Sequence, residues 1–461
     1  MSQLTSATLA PEPAASREEP KAPVSAWYAL GVLIVATLLS FVDREILSLV
    51  AEPMRRALHL NDTQLGVLQG LGMVFFAGLA ALPIAWVADR YGRRTVLTVS
   101  VLIWSAATAA CGLARDFDEL FAALVFLGIG QAGLSPVVFG LIPQLFPARQ
   151  RVLANAIYSM VATLGAALGL IAGGPMVSGI DAARPLLPDA LHGMEAWRLG
   201  FVLVALPGPV IALLVALMRL SRQAPDEAVQ AEEGAAPGAQ QISIFEWSRD
   251  HWRTVAGLFG SIGLVSFGFN AIGAWSPIVA ARNFGATPAE VGQGLGLTMA
   301  VGTILGGVLV SPVARWLTPR YHLATPLRVI EFGLLIALPL CLVLTWTTSS
   351  AQMFTVICLQ VAPVTIGTML FNTAMQDICP DYLRSRVLAV GLVVGLVFST
   401  ASPIAVGLIS DAFNPAPKAL MWAMAIVAAV GLGTGTALMR WSEDAFVRTV
   451  RTFANHPAVG D

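Results

Sequence analysis

The chain encodes an all-α integral membrane protein whose twelve transmembrane helices form two pseudo-symmetric six-helix bundles, and three features point there. Of its 461 residues, 56% are hydrophobic and only 12% are charged, about half the charged fraction of an ordinary soluble domain. Twelve stretches are long and apolar enough to cross a bilayer, which takes about 20 residues of helix. A short text also recurs six spans apart: QLFPARQRVLANA follows the fourth and QDICPDYLRSRVLAVG the tenth. Each has a Gln, a Pro that stops a helix, and RVLA opening the next span. Two halves related by an axis along the membrane normal place such loops equivalently.

The spans are expected at 27–50, 65–88, 95–113, 119–143, 152–178 and 197–219, then at 254–280, 291–313, 326–346, 352–378, 386–410 and 419–439. They divide the chain into a disordered tail at 1–26, a bundle at 27–220, a linker at 221–253, a second bundle at 254–440 and a tail at 441–461. The linker contains APDEAVQAEEGAAPGAQQ, polar and small-residue text without periodicity. The first apolar run is too long for a signal-peptide core and no small-residue cleavage site follows it, so it is expected to be retained. Arg90, Arg93, Arg94, Arg149, Arg151, Arg219 and Arg222 fall on the side shared with both tails. Fewer basic residues fall opposite, among them Arg55, Arg56, Arg115 and Arg282. That bias puts both termini in the cytoplasm.

A net charge of −1 gives no argument for a nucleic-acid partner. The four cysteines, Cys111, Cys341, Cys358 and Cys379, lie far apart in or beside apolar text and read as small buried hydrophobes rather than metal ligands or disulfides. The five His are scattered over tails and loops, and HExxH, GxSxG and P-loop patterns are lacking. No enzyme, cofactor or metal is therefore expected.

Charge inside the membrane is the informative exception. The stretch LLSFVDREILSLV places Asp43, Arg44 and Glu45 in the first span, where a charge costs about 3 kcal/mol at the bilayer centre. Thr37, Ser40, Arg44 and Ser48 share one helical face, with Asp43 about 100° round from Arg44; Glu45 is expected at the external rim. Polar stripes recur with Gln131 and Ser135 in the fourth span, Tyr158 in the fifth, Ser266 and Asn270 in the seventh, Thr365, Thr368, Asn372 and Gln376 in the tenth, and Ser399 and Ser402 in the eleventh. Small-residue faces of this kind also serve as helix packing surfaces. Turned inward together, they line an aqueous chamber, and the assigned cavity set is Ser40, Gln131, Ser135, Tyr158, Asn270, Asn372 and Gln376.

A second constellation, ADRYGRR at 88–94, joins the second and third spans. Gly92 suits a tight turn, and Arg side chains are favoured at a helix C-terminus. This D-R-x-G-R-R pattern, in a twelve-span chain with a long central loop, resembles the major facilitator superfamily. Within it, FVDREILSLVAEPMRRALHLNDTQLGVLQG, FPARQRVLANAIYSM and AWRLGFVLVALPGP are similar to the bacterial spinster-like transporters.

The resemblance implies the major facilitator fold, a bacterial inner-membrane location, and alternating access by two rocking bundles. It implies a cytoplasmic gate at Asp89, Arg90, Arg93 and Arg94, with Arg149 and Arg151 assigned beside it, and protonation of Asp43 next to Arg44. Three departures accompany it: Leu124 and Gln131 stand where the subgroup carries Arg and Glu in the fourth helix, Ala85 replaces the loop motif's opening Gly, and Ser311 and Pro312 interrupt its copy in the second half. The expected protein is a monomeric secondary transporter in the lipid bilayer. Its cargo is a small amphipathic or anionic organic solute, lipid-like or a carboxylate, coupled to protons through competition: an anion that takes Arg44 frees Asp43 to accept one. A proton-independent facilitator and a ligand sensor on the same scaffold are the alternatives.

Overall fold

The computed structural model describes residues 22–186, 188–218, 243–416 and 418–454, and every regular element among them is helical. The first half crosses at α1 (Val24–Leu49), α2 (Asp62–Tyr91), α3 (Arg93–Leu113), α4 (Phe117–Leu145), α5 (Ala148–Ser178) and α6 (Ala196–Ala216). The second half crosses at α7 (Trp252–Phe284), α8 (Pro288–Tyr321), α9 (Thr325–Trp346), α10 (Ser350–Asp377), α11 (Arg384–Phe413) and α12 (Ala419–Ala454). Twelve crossings in two sets of six are thus present among the described residues.

Local chemistry sets where these helices begin and turn. The Asp116 side chain accepts the Glu119 N–H at the start of α4, and Thr287 with Glu290 forms a capping box ahead of Pro288 in α8. Gly92, at φ 95°, makes the corner between α2 and α3, and Gly285, at φ 66°, caps α7. In α2 the ladder loosens into a π segment at Leu68–Phe75, which packs on α11 together with the Asp62–Val67 stretch before it.

The bundles meet along two seams, α2 against α11 and α5 against α8. Exchanging the halves maps α2 onto α8 and α11 onto α5, so the seams are pseudo-equivalent. Glycine permits the approach. A Cβ on Gly292 would lie 2.7 Å from the Cα of Gly174 and against the Leu170 carbonyl.

The ends of the chain depart from expectation in one respect. Residues 1–21 and 219–242, the latter including most of the expected linker at 221–253, lie outside the described residues; Ser243 caps a short helix at Ile244–Asp250. The expected tail at 441–461 instead continues α12 to Ala454. Phe446 is buried there, the Thr254 and Thr449 hydroxyls lie 2.9 Å apart, and Glu443 reaches Arg328 of α9 at 2.8 Å. Buried contacts of this kind hold a helix that hydropathy alone ends at the membrane.

Candidate functional site

Between the seams lies a cavity of about 240 Å³, lined from α1 by Arg44, Glu45 and Ser48, from α2 by Gln69 and Met73, and from α7 by Phe269 and Asn270, with Met299 and Pro403 closing it from α8 and α11. Arg44 presents accessible surface to this cavity and has no hydrogen-bond acceptor among the described residues. Gln69 is buried, and its amide Nε2 also lacks a partner. The accessible Arg44 guanidinium and the buried Gln69 amide fit a ligand group rich in acceptor oxygens; for Gln69, a buried donor without a partner costs about 1–3 kcal/mol. Glu45 stands beside Arg44 without a direct ion pair; its side chain packs toward Gly169 of α5 rather than at the rim.

Asp43 is elsewhere. It is 1% exposed, both carboxylate oxygens lack a hydrogen-bond partner, and its neighbours are Thr108 and Cys111 of α3. The Thr108 hydroxyl donates to the Trp104 carbonyl instead. At 100° per residue, Glu45 lies on one side of Arg44 and Asp43 on the other. The face that brings Arg44 and Glu45 to the cavity therefore turns Asp43 into its own bundle.

The other assigned residues divide in the same way. Asn270 lines the cavity. Ser40 donates to the Thr37 carbonyl, Gln131 reaches the Ser40 carbonyl at 3.4 Å, and the buried Tyr158 hydroxyl lies 3.3 Å from Thr37. These three are satisfied between α1, α4 and α5, inside the first bundle. Ser135, Asn372 and Gln376 are exposed and do not line the cavity. Gln69 and Glu45 were absent from the assigned set; the only signal for Gln69 was a lone amide in the apolar run GVLQGLGM.

The end of the molecule expected to face outward is clasped by charge. Arg282 of α7 donates to Glu52 at 2.9 Å and, through both terminal nitrogens, to Asp62 of α2 at 2.8 Å. Asp411 of α11 accepts the Asp62 and Thr63 N–H groups and the Thr63 hydroxyl, while Ser410 donates to Asp62 at 2.6 Å. Burial alone would raise the Glu52 carboxyl; the hydrogen bonds and charges of Arg55 and Arg282 outweigh it and hold it below its ordinary value of 4.5.

At the opposite end the 88–94 loop bonds within its own bundle. Arg93 donates to Asp89 and to the Gly140 carbonyl of α4, Arg94 to the Met218 carbonyl after α6, and Arg90 stacks over Trp86 and Tyr91. Arg151 donates to the Phe146 carbonyl at 2.9 Å. The Arg149 side chain lies outside the described residues.

Paired bundles around a charged membrane cavity, bolted together at one end, make a membrane transporter and not an enzyme. The sequence profile of the Major Facilitator Superfamily matches residues 33–398, and the chain belongs to that superfamily. It is 26% identical to an MFS-type efflux pump of Mycolicibacterium smegmatis, covering 85% of this chain and 86% of the pump. It is 23% identical to Protein spinster of Drosophila melanogaster over 94% of this chain and 71% of the relative. Among solved structures it is similar to a bacterial homologue of the human lysosomal transporter spinster in an inward-facing, occupied conformation. The TM-score there is 0.73 at 25% identity, over 95% of this chain and 100% of the other. The protein is a spinster-like member of the superfamily.

Proposed function

We propose that the protein is a proton-coupled secondary transporter that carries a small amphipathic anion across a bacterial inner membrane, as a monomer with both termini cytoplasmic, by alternating access of the central cavity. The observation that supports this reading is the pair of open donors, Arg44 and Gln69, in a cavity otherwise walled by Phe269, Met73 and Met299. The donors suit an anionic head and the apolar wall suits its tail. The relatives include an efflux pump and a sphingosine-1-phosphate transporter, which accord with a small organic or lipid-like cargo.

The clasp at Arg282 closes one end, which is what one state of such a cycle requires. Moving the solute then needs the clasp to break while contacts form at the other end, where the 88–94 loop sits. Proteoliposome uptake of octanoate, benzoate and a lysophosphatidate tests the reading. Saturable flux lost in Arg44→Gln and driven by a pH gradient is expected. Flux indifferent to the gradient marks a facilitator, saturable binding without flux marks a sensor, and the absence of both for all three solutes overturns the anion reading.

A further inference from the structure

The cavity contains two opposite charges that are not paired directly with each other. Arg44 is the charged group that faces Glu45; the surrounding helices contribute Gln69, Gly169, Asn270, Met299 and Pro403, all uncharged. Asp43, on the same helix, is sealed against α3. With the cavity empty, Arg44 and Glu45 sum to zero. When an anionic head takes the Arg44 guanidinium, a second negative charge stands beside Glu45 in a cavity within the membrane. Two like charges sharing such a site do not both stay ionised without large cost.

We propose that Glu45, and not Asp43, carries the coupling proton, and that each anionic head bound at Arg44 places one proton on Glu45. The proton comes from the aqueous phase to which the cavity is open. The bound anion replaces Glu45 as counter-ion of Arg44, and Glu45 becomes the neutral acid. Net charge in the site is zero before and after, so the loaded carrier reorients without moving charge through the membrane potential. This rests on the reading of the cavity as an anion site.

Octanoate, an anionic head on an apolar tail, is the probe. The purified full-length chain in detergent is titrated by calorimetry at pH 7 in phosphate and in Tris, whose ionisation heats differ, so the difference in heat counts protons taken up. About one proton per octanoate bound is expected. E45Q binds octanoate with no proton uptake, E45D restores the uptake, D43N keeps it, and R44Q does not bind. Where E45Q fails to unfold cooperatively on heating, E45A takes its place. Absence of octanoate binding, or binding that R44Q leaves unchanged, overturns the anion site and this proposal with it. Binding without proton uptake, uptake that survives in E45Q, or uptake lost in D43N overturns the assignment to Glu45 and leaves the anion site standing.

Discussion

Replacing Arg282 by Gln tests whether charge holds closed the end proposed to face outward. The guanidinium makes three charge-assisted hydrogen bonds, at 2.9, 2.8 and 2.8 Å, to two carboxylates whose side chains are 7% and 8% exposed. Hydrogen bonds to charged groups are worth about 1.5–3 kcal/mol each, without additivity. Removing one partner of a buried pair costs about 3–5 kcal/mol because the other is left uncompensated. Arg282 itself is 22% exposed, so water screens part of that. The contacts of Asp411 and Ser410 also survive the substitution. A net loss of about 3 kcal/mol remains, which moves the closed-to-open ratio by about a hundredfold.

The reporter is Ser48→Cys, in the cavity wall, labelled from outside whole cells by a membrane-impermeant maleimide in a Cys358→Ser background. Its labelling rate rises at least about tenfold in Arg282→Gln. Arg282→Lys falls between, since an ammonium cannot reproduce the two-pronged contact with Asp62. An unchanged rate in Arg282→Gln, with unchanged thermal stability, would show that packing of the seams and not charge keeps this end shut.

Acid acts on the same clasp. A carboxyl held below its unfolded value contributes stability that is complete above that value and is lost as pH falls through the folded one. The spin-label distance across the external seam is therefore flat from neutrality to about pH 5 and lengthens only below the ordinary Glu52 value of 4.5, and Glu52→Gln lengthens it already at pH 7. Gly292→Val drives a side chain into Gly174 and the Leu170 carbonyl, so thermal unfolding registers a loss of about 1–3 kcal/mol and the α5–α8 seam opens in the same distance measurement. Arg93→Ala breaks a pair whose Asp89 side is 62% exposed and a hydrogen bond to the Gly140 carbonyl, and its cost is about 1–2 kcal/mol, read as a small downward shift in melting temperature.

Much of this architecture was legible because a bilayer imposes it. Length and apolarity alone mark the crossings, and Gly92 marks a corner by chemistry that depends on a few neighbouring residues. The seams were not legible. Gly174 and Gly292 look like any small residues of a membrane helix, and only the fold shows that two backbones meet there. The clasp was hidden for a related reason: Glu52, Asp62, Arg282 and Asp411 are ordinary rim charges in sequence, and their convergence is a property of the closed state. Likewise the expected tail at 441–461 gave no sign in sequence that Glu443 pairs with Arg328, beside the Arg328–Glu331 and Arg440–Glu331 pairs.

The first span shows most clearly where spacing stops being informative. A period of 3.6 residues fixes the angle between Asp43, Arg44 and Glu45 but not which flank of Arg44 meets the cavity, and the expectation took Asp43 for the site and left Glu45 at the rim. The fourth helix bears on the true orientation. Leu124, where the resemblance led to the expectation of a charge, is fully buried and would lie 3.4 Å from a Cβ on Gly72 of α2, and Gln131 is bonded to α1. No charge on those positions is available to balance Arg44 across the bundle. An acid one residue further along the same helix supplies that balance locally, and once Glu45 faces the cavity, Asp43, some 200° round the helix, is carried out of it.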